Sequence, residues 1–498
     1  PRAAPDAGAR RRGGRLDGFG MIAELQRYFA RGRVLGRDVA SGDTFLVRGG
    51  LPGERVVVAM ERVGRRREAR VVEVLEPAPA RVRSACAVFP RCRGCDLLHA
   101  ARDEELRYKQ LVLQEVLERH AGVVVAPPPV LHGQRGDHRL RTRLVFGTAD
   151  GVGELAVEGG AEGRGTSCGA LGMRAADGSV VSLRDCPANH PRLRAAVATL
   201  EPVIASLAAV SPAAASPATD ASPATDAAPA TDAAPDAAGR RLDPGDLVVE
   251  LALGVDGLAL VFEHRDDLET AAAFARALRD VPVVAATFAA IGSRQAGGPT
   301  TLHVGRWPRQ HPVGAVELQE AVDAWTQPNP SVIDQAFTAL LDGLDVSGQV
   351  VLDLTCGTGA LALRAATTAR HVIAADVNWS AVQSTRASAD RLALANVETR
   401  GGKATAVLQR LVREGTAVDR VIINPMREPL GADAMELLCR LPATRLAYLA
   451  PAPQAAARDL ARLLGEGWAW RSCHGVDLHP GTGHVMLLAI LERDLAVR

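Results

Sequence analysis

The chain has 498 residues, of which 47% are hydrophobic and 23% charged, with a formal net charge of +1. That balance excludes a disordered polar chain and a uniformly basic nucleic-acid coat. No apolar run reaches membrane-spanning length and no basic–apolar–small-residue leader opens the sequence, so a cytoplasmic protein of about two to four domains, without a membrane partner, is expected.

The charge is unevenly placed. Residues 1–85 hold eighteen arginines against ten acidic residues, and the whole chain has only two lysines, Lys109 and Lys403. Guanidinium groups grip phosphate bidentately and stack on bases, so the first sixth of the chain is expected to contact nucleic acid. Residues 1–20 read as a disordered basic tail. From 21 to 82, β-rich segments alternate with turns at Gly49-Gly50, Pro52-Gly53 and Gly64, which predicts a small OB-like barrel. It resembles the TRAM domain, an RNA-binding module, most clearly in Leu51-Pro52-Gly53-Glu54-Arg55-Val56. Tyr28, Phe29 and Phe45 are its only aromatic residues, so contacts lean on phosphate and should be salt-sensitive.

Residues 83–340 read as a middle α+β domain. Cys86, Cys92 and Cys95 lie within ten residues, and clustered thiols in a chain without secretory features bind metal more often than they form disulfides. Cys92-x2-Cys95 lets two thiolates reach one centre from a single turn, with Gly94 relieving the backbone. Cys186, in Ser182-Leu183-Arg184-Asp185-Cys186-Pro187, is the expected fourth ligand in preference to Cys168 in its glycine-rich loop. Four thiolates suit tetrahedral zinc and a cubane iron–sulfur cluster equally by spacing. Segments 246–262, 281–290 and 300–304 read as strands of one sheet. The hexads SPATDA, SPATDA and APATDA over 216–233 have nothing to bury and predict a disordered insertion over about 209–240.

Residues 341–498 alternate apolar strands with Ala- and Leu-rich helices, the pattern of a doubly wound α/β domain. In Val350 to Ala366 a β-branched run ends at Asp353, turns through Gly357 and Gly359, and enters a helix. The third glycine of the dinucleotide fingerprint is missing, so the loop looks more like an S-adenosylmethionine site. Asp376 closes a second apolar run, where a carboxylate holds ribose hydroxyls.

Barrel, Cys-x5-Cys-x2-Cys with a distant fourth cysteine, and S-adenosylmethionine-type Rossmann domain together resemble the bacterial RNA uracil-5 methyltransferases, which form 5-methyluridine in ribosomal or transfer RNA. The resemblance implies a structural [4Fe-4S] cluster on Cys86, Cys92, Cys95 and Cys186. It implies cofactor contacts from Gln327, Asp353, Thr355, Gly357, Gly359, Asp376 and Asn424, and a ribosomal or transfer RNA partner held by the N-terminal barrel. Gln327-Pro328-Asn329 matches the family's F-Q-x-N, Thr355 replaces an aromatic residue, and Ser388 stands where asparagine is usual.

The catalytic positions depart from the family. Uracil C5 is a poor nucleophile, so the family attacks C6 with a thiolate, methylates the resulting enolate, then removes the C5 proton. The thiolate belongs to Ser-Cys-Asn-Pro after a strand ending in tyrosine; here Tyr448-Leu449 is followed by Ala450-Pro451-Ala452-Pro453. The nucleophile position is Pro451. The family's glutamate in H-V-E is Met486 after His484-Val485, and the aspartate of D-P-P-R is Asn424. The expected function is a divergent RNA methyltransferase with degenerate catalytic residues. The alternatives are an RNA-binding pseudo-methyltransferase and an amino-group methyltransferase that uses Asn424-Pro425.

Overall fold

The computed structural model describes residues 20–63, 66–136, 138–148, 169–175, 179–209, 234–235, 241–242, 247–254, 257–264, 288–291, 301–304, 309–313, 316–320, 327–426 and 428–495. The tail predicted over 1–20 and the insertion predicted over 209–240 lie outside these residues apart from Gly20, Ala209 and Ala234–Pro235, and Cys168 lies outside them too. The chain divides into two compact units, Pro1–Val82 and Arg83–Arg498.

In the first unit, β1 (Met21–Phe29), β2 (Arg33–Asp38), β3 (Thr44–Arg48), β4 (Arg55–Val63) and β5 (Arg66–Glu76) close into a barrel in the order β1-β2-β3-β5-β4. Ala23, Leu25, Val34, Val47, Val56, Val58 and Ala69 are buried in it. A bulge between Leu25 and Arg27 shifts the inward phase of β1, so Tyr28 is buried as well. Of the barrel's three aromatic residues, Tyr28 thus belongs to its core.

The Leu51–Val56 phrase has a mechanical reason. Glu54, buried in the β3–β4 loop, accepts hydrogen bonds from the amides of Leu51 (2.7 Å) and Ala78 (3.3 Å) and from Arg81 Nη2 (2.7 Å). One carboxylate thus ties the loop to the segment after β5. Arg27, Arg31, Arg37 and Arg70 are exposed on this unit.

The second unit opens with α1 (Arg102–Ala121) and β6 (Val130–His132). A seven-stranded sheet follows, built from β7 (Arg141–Thr148), β8 (Gly169–Arg174), β9 (Val180–Ser182), and, beyond α2 (Pro191–Ala209) and the short pair β10 (Ala234–Pro235) and β11 (Arg241–Leu242), from β12 (Leu247–Gly254), β13 (Gly257–His264), β14 (Phe288–Ile291) and β15 (Thr301–Val304). Its order is β15-β14-β13-β12-β7-β8-β9, which joins the described parts of the three segments expected to share a sheet; residues 281–287 of the second lie outside the described residues. A hairpin of β16 (Arg309–Val313) and β17 (Val316–Glu320) leads on to α3 (Pro330–Leu344).

The C-terminal sheet runs β20-β19-β18-β21-β22-β24-β23-β6. Its strands are β18 (Val350–Asp353), β19 (His371–Asp376), β20 (Val397–Gly401), β21 (Arg420–Ile423), β22 (Arg445–Ala450), β23 (Ala469–Asp477) and β24 (Met486–Glu492). The helices between them are α4 (Ala360–Ala366), α5 (Trp379–Arg391), α6 (Ala404–Glu414), α7 (Ala432–Cys439) and α8 (Pro453–Gly465). The first five strands are parallel and β24 pairs antiparallel with β22. Strand alternation divides the apolar side chains between two cores: Leu352, Ile373, Tyr448 and Leu487 on one face, Val351, Val372, Leu449 and Met486 on the other. Elements from before residue 340 belong to this architecture as well: β6 pairs with β23, α1 packs on α8, and β17 and α3 bury Val316, Leu318, Val332 and Phe337 in one of its cores.

Candidate cofactor site and four-cysteine centre

The ends of β18 and β19 form a cradle. The amide of Cys356 donates to the Ala375 carbonyl (2.8 Å), and the amide of Gly357 donates to Asp376 Oδ2 (2.9 Å). Asp376 Oδ1 accepts from the Asn378 amide (2.8 Å), which holds the carboxylate at the mouth of α5. Gly357 has φ +53° with open space where a Cβ would stand; Gly359 has φ +88° and a Cβ there would meet Thr385 Cγ2 at 2.6 Å. Glycine at 359 lets the backbone sit against α5, and glycine at 357 leaves its outer side clear.

Asp353 is the buried charge of the cradle. Among the described residues neither carboxyl oxygen has a hydrogen-bond partner of good geometry. Burial, and then the Asp376 carboxylate, push its pKa up to about 7, with the facing amides of Thr355 and Ala362 offsetting part of the rise. Thr355 Oγ1 accepts from the Asn424 amide (2.7 Å), which ties the end of β18 to the end of β21. This is the switch point of the sheet, where open α/β folds bind ligands. Six of the seven cofactor candidates, Asp353, Thr355, Gly357, Gly359, Asp376 and Asn424, therefore share one rim. Gln327 approaches separately: it lies half-buried ahead of α3, where Pro328 accepts from the Leu140 amide (2.9 Å) and Asn329 Nδ2 donates to the Leu478 carbonyl (3.4 Å).

Sequence reasoning missed an apolar rim. Val377 (69% exposed) and Trp379 (63%) stand beside Asp376, and Met426 (65%) stands beyond Asn424 on the other side of β18. Large apolar residues directly after an acidic strand end were the available signal.

The positions expected to carry chemistry are plain in the structure. Pro451 is exposed at the end of β22, just ahead of α8. Met486 is buried in the core with Val476 and Leu488. Cys473 is level with Ala489 and thus with Tyr448, inside the sheet, and burial pushes its thiol up to about 11. Cys439 is buried at the opposite end of the strands, where its carbonyl accepts from Arg493 Nη1 (2.8 Å). Cys356 is buried behind the glycine loop, 3.9 Å from Thr385 Oγ1, with its thiol pushed well up by burial and by the charges of Asp353 and Asp376. Their neighbours Tyr448 and Asp459 are structural: the tyrosine hydroxyl donates to Asp459 Oδ2 (2.8 Å), which also accepts the Leu430 amide (2.7 Å).

Cys86, Cys92, Cys95 and Cys186 come together as free thiols. Burial raises the Cys95 thiol to about 11; the Arg139 guanidinium lowers it, and the charges of the other three thiols raise it. Burial likewise raises Cys92, helped by Cys186 and Cys86. Among the described residues no three His, Cys, Asp or Glu side chains converge tightly enough for a single ion.

This centre touches the loop that precedes Met486. The amides of Asp96 and Leu97 both donate to the Gly481 carbonyl (3.0 and 2.9 Å), and the Gly483 amide donates to Asp96 Oδ2 (3.1 Å). Below them lies a buried ionic latch. Lys109 Nζ is 2.6 Å from both Glu105 Oε1 and Asp477 Oδ1, Arg102 meets both acids (2.9 and 2.7 Å), and the Gly481 amide donates to Glu105 Oε1 (2.7 Å). His479 in this loop is pushed down to about 3 by burial and neighbouring positive charge, so it is neutral. His484 is exposed.

Comparison with known proteins agrees with this arrangement. A family model described as a methyltransferase domain matches residues 345–476. The 23S rRNA (uracil(1939)-C(5))-methyltransferase RlmD of Alkalilimnicola ehrlichii is 30% identical over 482 residues, covering 92% of this chain and 94% of that protein. The RlmD of Alcanivorax borkumensis is 26% identical over 479 residues, with the same coverages of 92% and 94%. The crystal structure of Pyrococcus abyssi tRNA (uracil-54, C5)-methyltransferase in complex with S-adenosyl-L-homocysteine shares the fold, with a TM-score of 0.66 at 16% identity over 94% of this chain and 99% of that one. With relatives matched across nearly its whole length, the chain belongs to the S-adenosylmethionine-dependent RNA uracil-C5 methyltransferase family.

Proposed function

We propose that this chain is a member of the family that binds RNA and S-adenosylmethionine in the cytoplasm and has lost transfer to uracil C5. The observation that carries the reading is the end of β22, where the position of the family's thiolate is an exposed proline. Proline has no nucleophilic atom, so the C6 adduct that activates C5 cannot form there. The base position, Met486, is a buried core residue, and the third acid is Asn424. None of the thiols of Cys356, Cys439 and Cys473 is a substitute, since each is held protonated or away from the strand ends by packing. Near-attack geometry tolerates little displacement.

The ligand side supports retention. A buried carboxylate at Asp353 that no cation among the described residues neutralises suits the cationic amine of the cofactor's methionine part, Asp376 suits the ribose, and Val377 and Trp379 suit the adenine. Bound there, S-adenosylmethionine supplies an electrophilic methyl group. The four thiols support a [4Fe-4S] cluster in preference to zinc. The Cys-x5-Cys-x2-Cys spacing with a distant fourth cysteine is that of the family's cluster, and the four thiols lie close enough to raise one another's pKa. Exposed arginines on the barrel support phosphate contact with ribosomal or transfer RNA, the substrates named for the relatives.

The test is to measure binding of S-adenosylhomocysteine and of unmodified RNA to the intact chain, and methyl transfer in parallel. Binding of both with no methylated uridine supports the reading. An N-methylated adenosine or cytidine would assign the activity to Asn424-Pro425 instead.

A further inference from the structure

Asn189 is fully buried, yet among the described residues neither its side-chain Nδ2 nor its Oδ1 has a hydrogen-bond partner. Buried amides are nearly always satisfied, so an orphan of this kind points to a group that completes it. Its place in the chain says which group. The amide of Asn189 donates to the carbonyl of Cys186 (3.1 Å), and its backbone bridges to Arg139, flanked by the hydrogen bonds from Arg139 to Ala188 (2.9 Å) and from His190 to Arg139 (3.0 Å). Arg139 in turn reaches the other side of the centre. Its Nη2 donates to the Gly94 carbonyl (3.1 Å) and stands 4.0 Å from Cys95 Sγ. Asn189 is thus three residues from one cysteine and paired, through the backbone, with the arginine that faces another.

We propose that Asn189 and Arg139 are outer-shell positioning residues of the four-cysteine centre: the Asn189 amide donates an N–H to a sulfur of the cluster, and Arg139 sets a fixed positive charge beside Cys95. The inference rests on the iron–sulfur reading of the cysteines. Donors and cations next to thiolate-bound sulfur favour the more negative state of a cluster. Adding one electron to a thiolate-ligated cluster increases its negative charge, so both groups raise the reduction potential. The potential is a readout of the shell here and implies no electron-transfer function.

The experiment uses the full chain, purified anaerobically, with iron and acid-labile sulfide assayed first. The electron is supplied by dithionite through mediator dyes, and the midpoint is followed by visible absorbance for the wild type, Asn189→Leu, Asn189→Asp and Arg139→Gln. All should keep wild-type iron. The midpoint should shift to more negative values in Asn189→Leu and in Arg139→Gln, and further in Asn189→Asp, which replaces the donor with an acceptor of the same size. In the metal-free chain Asn189→Leu should melt no lower than wild type, because the orphan amide is gone, whereas in the loaded chain it should melt lower. Asn189→Asp keeps the test decisive if the leucine variant takes up no iron. Wild-type iron with unshifted midpoints in the Asn189 variants overturns the proposal alone. A wild-type chain that purifies without iron, or with zinc in its place, overturns the iron–sulfur reading and the proposal together.

Discussion

Asp353 shows how one residue can couple ligand binding to pH. Its folded pKa stands at about 7 against an unfolded value of 3.8. A raised acid favours the protonated fold, so the contribution is fully present below pH 3.8 and is lost as pH rises through 7. The loss amounts to up to about 4 kcal/mol from a shift of about three pKa units. Binding runs the other way, because a cationic amine prefers the carboxylate. Affinity for S-adenosylhomocysteine should therefore rise as pH increases through about 7, and Asp353→Asn should flatten both profiles; calorimetry between acid and mild alkali checks this. The cradle was legible because Asp353, Gly357 and Gly359 lie within seven residues and each has a backbone reason to be there. Trp379 and Met426 were not, because exposure at a strand end depends on the loop path rather than on residue type. Nor was the burial of Tyr28, which follows from a single bulge in β1.

At the scale of elements, the β23–β24 loop is held by residues the sequence keeps far apart, since Lys109 and Asp477 are separated by 368 positions. Periodicity finds α1 and β23 separately and says nothing of their meeting. Glu105 is pulled down to about 2: burial would raise it, but the cations Lys109, Arg102 and Arg135 outweigh burial. Its stabilisation is thus present above the ordinary value of 4.5 and is lost as pH falls towards 2. Lys109→Met should destabilise the unit by about 3–5 kcal/mol, because it removes the fully buried cation and leaves Glu105 and Asp477 to the partly exposed Arg102 and Arg135, whereas an exposed pair such as Arg440–Glu436 should matter by under about 1 kcal/mol. Chemical denaturation of both variants checks the contrast, and hydrogen exchange should show residues 478–484 losing protection first. The cysteine spacing announced a centre, but its attachment to Gly481 and Gly483 emerged only from the fold.

Across the whole molecule, the order of barrel, cysteines and Rossmann sheet was readable because each module has its own local pattern. The solved structure at 16% identity shares the fold across 94% of this chain, so the architecture outlasts most of the sequence. What resisted reading was the border between middle and C-terminal regions, since β6 pairs with β23 and α1 packs on α8, elements far later in the chain. Among the described residues no helix is long and apolar enough to cross a membrane. RNA affinity should fall steeply with salt, and replacing Arg27, Arg31, Arg37 and Arg70 by glutamine should flatten the log–log slope by up to about 0.7 per lost phosphate contact. Filter binding across a salt series checks that slope; an unchanged slope would move RNA contact away from the barrel. The central claim is that scaffold and ligands survive while the C5 chemistry does not. Its most direct test is nucleoside mass spectrometry of unmodified ribosomal and transfer RNA after incubation with isotope-labelled S-adenosylmethionine and folded, metal-loaded protein. The account predicts no labelled 5-methyluridine above background, and labelled 5-methyluridine in turnover amounts would contradict it.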